Sequence, residues 1–498
     1  MSGIVNKFSE ERSLHPLTLV YNGIKSSPPL LISLYLAFVQ NDKSEWMYSI
    51  ILIILFFGIL PSIILNFIYF KFKITDKEIY IQSGIIAKKN RVIPISKVQN
   101  VNFSQNFFQK LLGISRVQIE TAGDISAEGV LEFVSVANAD EISKIIKYYQ
   151  SNVDVLGINP TLIEKEHRID SADGKLFSMN LKDIFIYGAL RFRPVFLFFG
   201  FWLYSFLQQF SFFNLYFEDV FTSNMKNLQD LNVFYLTLLV TLSIIAIFFI
   251  SWILDIIWTI NTFYGFNLIN EKNKLITSGG LLSKQTQTIP FKKIQQISIV
   301  TNFLKEHLDY YSLRFYTAGF GLKAKGNDIA VPNAKLQLIY EVIDKIKQYR
   351  IPKYFLSISK KSIKRVFIRY LVLLIIFSIV LQYFSVYFWF LLLFSPFLYY
   401  FAFLNWKFRG YLFIDNTLYI KYGVIIRKIN IIPIKKFQTL KIRETFFQRR
   451  LGLATLILET AAVTLSAETL IRDIDIDVAE KLFDEISENF NKQFNSAE

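Results

Sequence analysis

One pattern occurs three times along this chain. Gly84, Gly280 and Gly423 are each followed ten residues later by a proline, at Pro94, Pro290 and Pro433. Five residues further on stands a glutamine, at Gln99, Gln295 and Gln438. The intervening strings are Pro-Ile-Ser-Lys-Val-Gln, Pro-Phe-Lys-Lys-Ile-Gln and Pro-Ile-Lys-Lys-Phe-Gln, so Lys97, Lys293 and Lys436 share one position. Twenty-seven residues after each proline comes Thr-Ala, at Thr121, Thr317 and Thr460. Gapless agreement over such a span requires three copies of one supersecondary unit.

Each copy reads as short strands followed by one helix. Ile79–Gln82, Leu275–Thr277 and Leu418–Lys421 are strand-like, glycine marks the next turn, and a second strand runs into the proline. Alternating apolar residues predict further strands around 115–120, 311–316 and 454–459. The closing segments carry helical apolar stripes: Ile142, Ile145, Ile146 and Tyr149; Ile339, Val342, Ile343 and Ile346; Ala479, Leu482, Phe483, Ile486 and Phe490. A small open barrel or sheet pair plugged by a carboxy-terminal helix follows as the packing. Copies one and three share Phe-Phe-Gln-[Lys/Arg]-x-Leu-Gly at 107–113 and 446–452, whereas copy two has Asp309 in place of the glycine.

Between the copies the chain is apolar. Hydrophobic residues make up 52% of the 498, charged residues only 19%, and Phe alone supplies 51. A membrane helix needs about 20 apolar residues. Six segments qualify as candidates, in pairs at 19–40 and 46–70, 194–213 and 233–260, 366–384 and 386–406, the first being the weakest because Lys25 interrupts it. The expected fold class is therefore about six membrane helices in hairpins alternating with three α+β modules. The expected division is 1–70 for the amino-terminal segment and first hairpin, 71–150 for module one, 151–193 for a linker, 194–260 for hairpin two, and 261–350 for module two. A basic linker at 351–365, hairpin three at 366–406, module three at 407–492 and a tail at 493–498 complete it. Within the pairs the short loops are acidic or neutral, and outside them the flanks are basic, including Lys360, Lys361, Lys364 and Arg365. The positive-inside rule then puts the termini and modules on the cytoplasmic side. The net charge of +15 points to anionic lipid before nucleic acid.

The early Leu14-His15-Pro16-Leu17, the three hairpin-plus-module units and the Gly-x₉-Pro-x-x-Lys-x-Gln pattern together resemble the YdbT-like family of bacterial membrane proteins with repeated PH-like domains. The resemblance implies about seven strands and one helix per module and no established catalytic activity. It also implies an inner-membrane location, a smaller companion membrane protein bearing the same module, and a role in envelope stress or antimicrobial resistance.

No constellation in the sequence carries chemistry. With no Cys and three scattered His, there is no thiol nucleophile, histidine metal cluster or Ser-His-Asp triad to assemble, and no cofactor is expected. Lys97, Lys293 and Lys436, with Lys360, Lys361, Lys364 and Arg365, are candidate contacts for anionic lipid or a partner; solvated surface lysine is the ordinary alternative. The repeated glycine and proline are conformational, and the glutamine a side-chain partner of its own turn. Phe107-Phe108 and Phe446-Phe447 are candidate contact aromatics, against ordinary core burial. Asp255, the one acid in the segment 233–260, is a candidate transport residue. The expected function is a non-enzymatic membrane scaffold that binds protein or lipid, able to self-associate; the alternative is a transporter or channel-like protein.

Overall fold

A computed structural model describes residues 8, 10–23, 25–26, 58, 61–84, 88–121, 129–154, 174–191, 233–271, 274–318, 327–347, 349, 351–383, 386–461 and 469–495. In chain order, repeat one comprises β1 (Arg12–Ser13), β2 (Lys71–Ile74), β3 (Glu78–Ser83), β4 (Lys89–Pro94), β5 (Val98–Ser104), α1 (Phe107–Leu111), β6 (Ile114–Thr121), β7 (Gly129–Ser135) and α2 (Val136–Asp154). Repeat two comprises β8 (Lys175–Ser178), α3 (Leu181–Ala189), α4 (Val233–Phe263), β9 (Asn267–Glu271), β10 (Lys274–Gly279), β11 (Gln285–Pro290), β12 (Ile294–Asn302), α5 (Phe303–His307), β13 (Tyr310–Thr317), β14 (Asn327–Lys335) and α6 (Leu336–Lys347). Repeat three comprises β15 (Leu356–Ser357), α7 (Lys361–Gln382), α8 (Ser395–Lys407), β16 (Gly410–Ile414), β17 (Thr417–Tyr422), β18 (Ile426–Pro433), β19 (Phe437–Arg443), α9 (Phe446–Leu451), β20 (Leu453–Thr460), β21 (Leu470–Asp475) and α10 (Ile476–Asn495).

Every repeat thus has seven strands and a closing helix, split by a single 3₁₀ turn into a four-strand half and a three-strand half. The first strand of each precedes its apolar segment, so β1 reaches forward to pair with β2, and β15 with β16. The closing helices bury the predicted stripes: Ile142, Ile145 and Ile146 in repeat one, and Ile339, Val342 and Ile343 in repeat two. In repeat three Ala479, Leu482 and Ile486 join strand residues Leu418, Ile432, Leu456 and Ile471 in one core.

The halves do not close into separate small barrels. The strand orders are β1-β2-β3-β4, β7-β6-β5-β11-β10-β9-β8, β14-β13-β12-β18-β17-β16-β15 and β19-β20-β21. The three-strand half of one repeat therefore receives, edge to edge, the four-strand half of the next. The described residues fall into two compact units: Met1–Asp173, Ser178–Asn267 and Thr277–Thr288, and Gly174–Phe177, Leu268–Ile276 and Ile289–Glu498. In the first, Gln285 and Thr286 of β11 pair antiparallel with Ser104 and Phe103 of β5. In the second, β12 and β18 pair over six positions, from Ile297 opposite Ile431 to Asn302 opposite Ile426.

The expectation of six membrane helices requires correction. Among the described residues two helices are long and apolar enough to cross a membrane, Thr241–Phe263 and Trp389–Lys407. The second runs from a 3₁₀ stretch, Val386–Phe394, into α8. Helix α7 carries Lys361, Lys364, Arg365 and Arg369 in its first nine residues, leaving 370–382 uncharged, well short of the roughly 20 residues a span needs. Most of the first predicted pair, and the segment 194–213, lie outside the described residues.

Candidate functional site

The repeated glycines are dictated by backbone. Gly280 and Gly423 have φ of 119° and 102°, and a Cβ there would fall 1.8 and 1.9 Å from the carbonyl oxygens of Ser283 and Ile426. Gly84 has φ 100°. Each therefore turns a hairpin no side chain permits. Pro94, Pro290 and Pro433 end the following strands and lead into the 3₁₀ turns 95–97, 291–293 and 434–436. Lys97 is exposed and Lys293 half-buried in these turns. The Lys436 ammonium donates to the carbonyl of Lys292 at 2.8 Å, and partial burial pushes it below the usual lysine range. Gln295 Nε2 donates to the carbonyl of Lys293 at 3.2 Å, whereas Gln438 is exposed. The side chain of Gln99 lies outside the described set.

At the other end of the same strands the surface is apolar. Helices α1, α5 and α9 each follow the first strand of a three-strand half, and each begins with an exposed apolar pair. Phe107 and Phe108 are 47% and 45% exposed, Phe303 and Leu304 65% and 55%, and Phe446 and Phe447 62% and 67%. These pairs are not core, because their helices are held by polar caps instead. Asn106 and Thr445 form capping boxes with Gln109 and Gln448, and Asn302 accepts from the Lys305 amide at 2.7 Å. The inward residue of each helix is the polar one: Gln109, Lys305 and Gln448 are all buried.

The edge pairing of repeats completes two of these tips. Lys110 Nζ donates to the carbonyl of Leu281 at 2.5 Å, and the Gln105 amide to that of Lys284 at 2.9 Å, which sets the hairpin bearing exposed Leu281 and Leu282 beside Phe107 and Phe108. In the second unit, Arg427 is paired with Glu306 of α5, and exposed Ile425 and Ile426 lie next to Phe303 and Leu304. Both tips sit at the foot of a helix able to cross a membrane. The Leu281 amide donates to the carbonyl of Asn261 near the end of α4 at 2.8 Å. The Arg427 guanidinium lies 3.5 Å over the ring of Phe408, one residue past α8. The third tip adjoins the start of α7, where Asp473, fully buried, accepts from Arg365 Nη2 at 2.7 Å and from Gln448 Nε2 of α9 at 2.8 Å. Lys361 is bound to Asp475 at 3.0 Å, while Lys360 and Lys364 are exposed.

This geometry separates the predicted site residues. Arg365 and Lys361 tie α7 to its own module. Lys97, Lys293 and Lys436 lie one strand length away from the apolar tips, roughly 20–30 Å at about 3.3 Å per residue. The tips were legible in the sequence only as two Phe-Phe pairs; Phe303-Leu304 and the hairpin residues lacked the signature. Asp255 is fully buried, with Ser251 and Thr259 on the same stripe of α4, and α3 packs there through Gly188, where a Cβ would meet Ile256 at 3.0 Å.

Seven strands and a closing helix, present three times, with an apolar helix rising from the foot in two of the repeats among the described residues, define a membrane-attached PH-like module. The chain belongs to the bacterial PH domain family, whose model matches residues 29–150, 224–349 and 366–490. It is also similar to the UPF0699 transmembrane protein YdbT of Bacillus subtilis (strain 168), 23% identical over 487 residues, covering 94% of this chain and 96% of that protein. No solved structure matches it. The chain is a membrane protein with repeated PH-like domains.

Proposed function

We propose that this protein is a non-enzymatic scaffold of the bacterial inner membrane, whose modules lie against the anionic cytoplasmic leaflet and present their sheets to partners. The observation that carries this reading is the exposed apolar pair repeated on α1, α5 and α9, at the foot of the apolar helices in two repeats. Exposed large apolar side chains are costly in water, and rimmed by Lys110, Lys284, Arg427, Arg449 and Arg450 they suit the headgroup boundary. Basic residues add about 1 kcal/mol each at an anionic surface. The basic flanks outside the apolar segments favour the cytoplasmic orientation.

The test uses the absence of native cysteine. Leu111→Cys, Leu304→Cys and Phe447→Cys chains, each labelled with an environment-sensitive fluorophore and reconstituted in phosphatidylglycerol-containing vesicles, should be blue-shifted and quenched by brominated acyl chains. A label at Ser96, in the distal turn, should be neither. Water-like emission at all three tips would overturn the reading.

A further inference from the structure

The two internal junctions share one register. Phe103 and Ser104 stand opposite Thr286 and Gln285; Ile299 and Val300 stand opposite Ile429 and Lys428. Counted from the repeated prolines these offsets are identical, so the joint is a built-in feature of the repeat. At its centre the polar residues are neutral, whereas towards the tip Lys428 and Arg427 stand opposite Val300 and Thr301. Asn102 accepts from the Thr288 amide at 3.2 Å, and Ser298 donates to Asn430 Oδ1 at 2.5 Å.

Strand β19 occupies the place of β5 and β12 but ends its sheet among the described residues. The offsets held by Asn102 and Ser104, and by Ser298 and Val300, are here Lys441 and Arg443, both exposed. Strand β4 ends the first sheet in the same way, with Lys89 and Arg91 exposed. In the junction register β4 of a second copy would set Arg91 opposite Lys441 and Lys89 opposite Arg443. Like charges directly opposite on antiparallel strands repel, and cationic edges discourage self-pairing. Glu459 on β20, 3.1 Å from Lys441, offsets one of these charges from the inner side. Glu444, one residue beyond β19, would face Lys88 on the opposite face and favours pairing, but two like pairs oppose it.

We propose that the β19 edge is a docking site for an extended strand of another protein, antiparallel in the junction register, with carboxylates opposite Lys441 and Arg443. Leu440 and Ile442, packed against the core of repeat three, supply the apolar side of that joint. The proposal deepens the scaffold reading by giving the chemistry of the partner, and it is tested independently of lipid contact.

The acidic strand can be made from the protein itself. One full-length chain in detergent carries Leu440→Cys. A second, of different tag length, carries Val92→Cys with Lys89→Glu and Arg91→Glu, plus Lys441→Glu and Arg443→Glu to block its own edge. Val92 would stand opposite Leu440, and directly paired strands bring Cα atoms to about 4.5–5.5 Å, within disulfide reach. Oxidation should give at least tenfold more mixed disulfide than with a Val92→Cys chain of native charge. An intrachain Ser104→Cys/Gln285→Cys pair is the positive control, and Ile442→Cys with Asn90→Cys repeats the test if Leu440→Cys unfolds. Equal crosslinking of the native-charge chain, or none with the acidic chain while the control reacts, would overturn the proposal.

Discussion

Strands β12 and β19 hold the same position in successive repeats and differ in nearly everything that surrounds them. Eight of the nine residues of β12 are buried, whereas β19 buries only Phe437 of its seven. The difference is not in the module to which each belongs, since both pair on one side with the next strand of their own half. It lies on the other side, where β12 meets β18 and β19 meets no strand among the described residues. Sequence has adapted to this. The central polar pair of the closed joint, Ser298 and Asn430, is fully buried and mutually hydrogen-bonded, while the equivalent residue of the open edge is the exposed Lys441. One fold position thus serves as core in one repeat and as surface in the next.

The largest effect should come from exchanging these residues. Ser298→Lys places an ammonium opposite the neutral Asn430 in a buried joint, and should destabilise the second unit by about 3 kcal/mol or more. Lys441→Ser removes an exposed charge and should stay within about 0.5 kcal/mol. Chemical denaturation in detergent, followed by protease resistance of each fragment, measures both. Equal effects would break the comparison.

A second contrast lies on the short helices. Gln109 and Gln448 are replaced in repeat two by Lys305, which is buried, donates to Ser312 Oγ at 3.2 Å, and whose ammonium is pushed down to about 7 by desolvation, with the nearby Arg314 guanidinium adding to it. Between about 7 and the ordinary lysine range of about 10.5 the unfolded chain binds the proton and the folded chain does not. Stability of repeat two should therefore rise with pH across that window, with the burial penalty fully present below 7. Lys305→Gln, which restores the residue of the other repeats, should flatten the dependence, as read from thermal melts between pH 6.5 and 10.

The smallest effect is expected at Asp309. It stands where the other repeats have Gly113 and Gly452, and all three adopt the left-handed backbone, with φ of 59°, 65° and 65°. Repeat two thus keeps the turn at the expense of strain, and Asp309→Gly should raise its melting temperature modestly, by about 1 kcal/mol of stability or less. A loss would show that Asp309 contributes more through its side chain than its backbone costs.

What the sequence determined by itself is everything local. The glycine turn, the strand into proline, the alternation of 115–120 and its two counterparts, and the stripe of the closing helix are set by periods of two and 3.6 residues and by φ/ψ limits, so they were legible one repeat at a time. Among the described residues fewer helices can span than there are apolar runs, because an apolar run does not show where its helix begins: α7 spends its first turns on Lys361 and Arg365, which bind Asp475 and Asp473 of its own module. Which strand meets which across repeats was decided only in the tertiary structure, because backbone N–H and C=O groups are the same in every sequence, and the cations of β4 and β19 mark open edges without naming the strand of this chain that fills the others. The same joint brings Leu281 beside Phe107 and Ile426 beside Phe303, residues some 120 to 175 positions apart in the chain. Those two tips are completed by hairpin residues only because the repeats are joined at their edges.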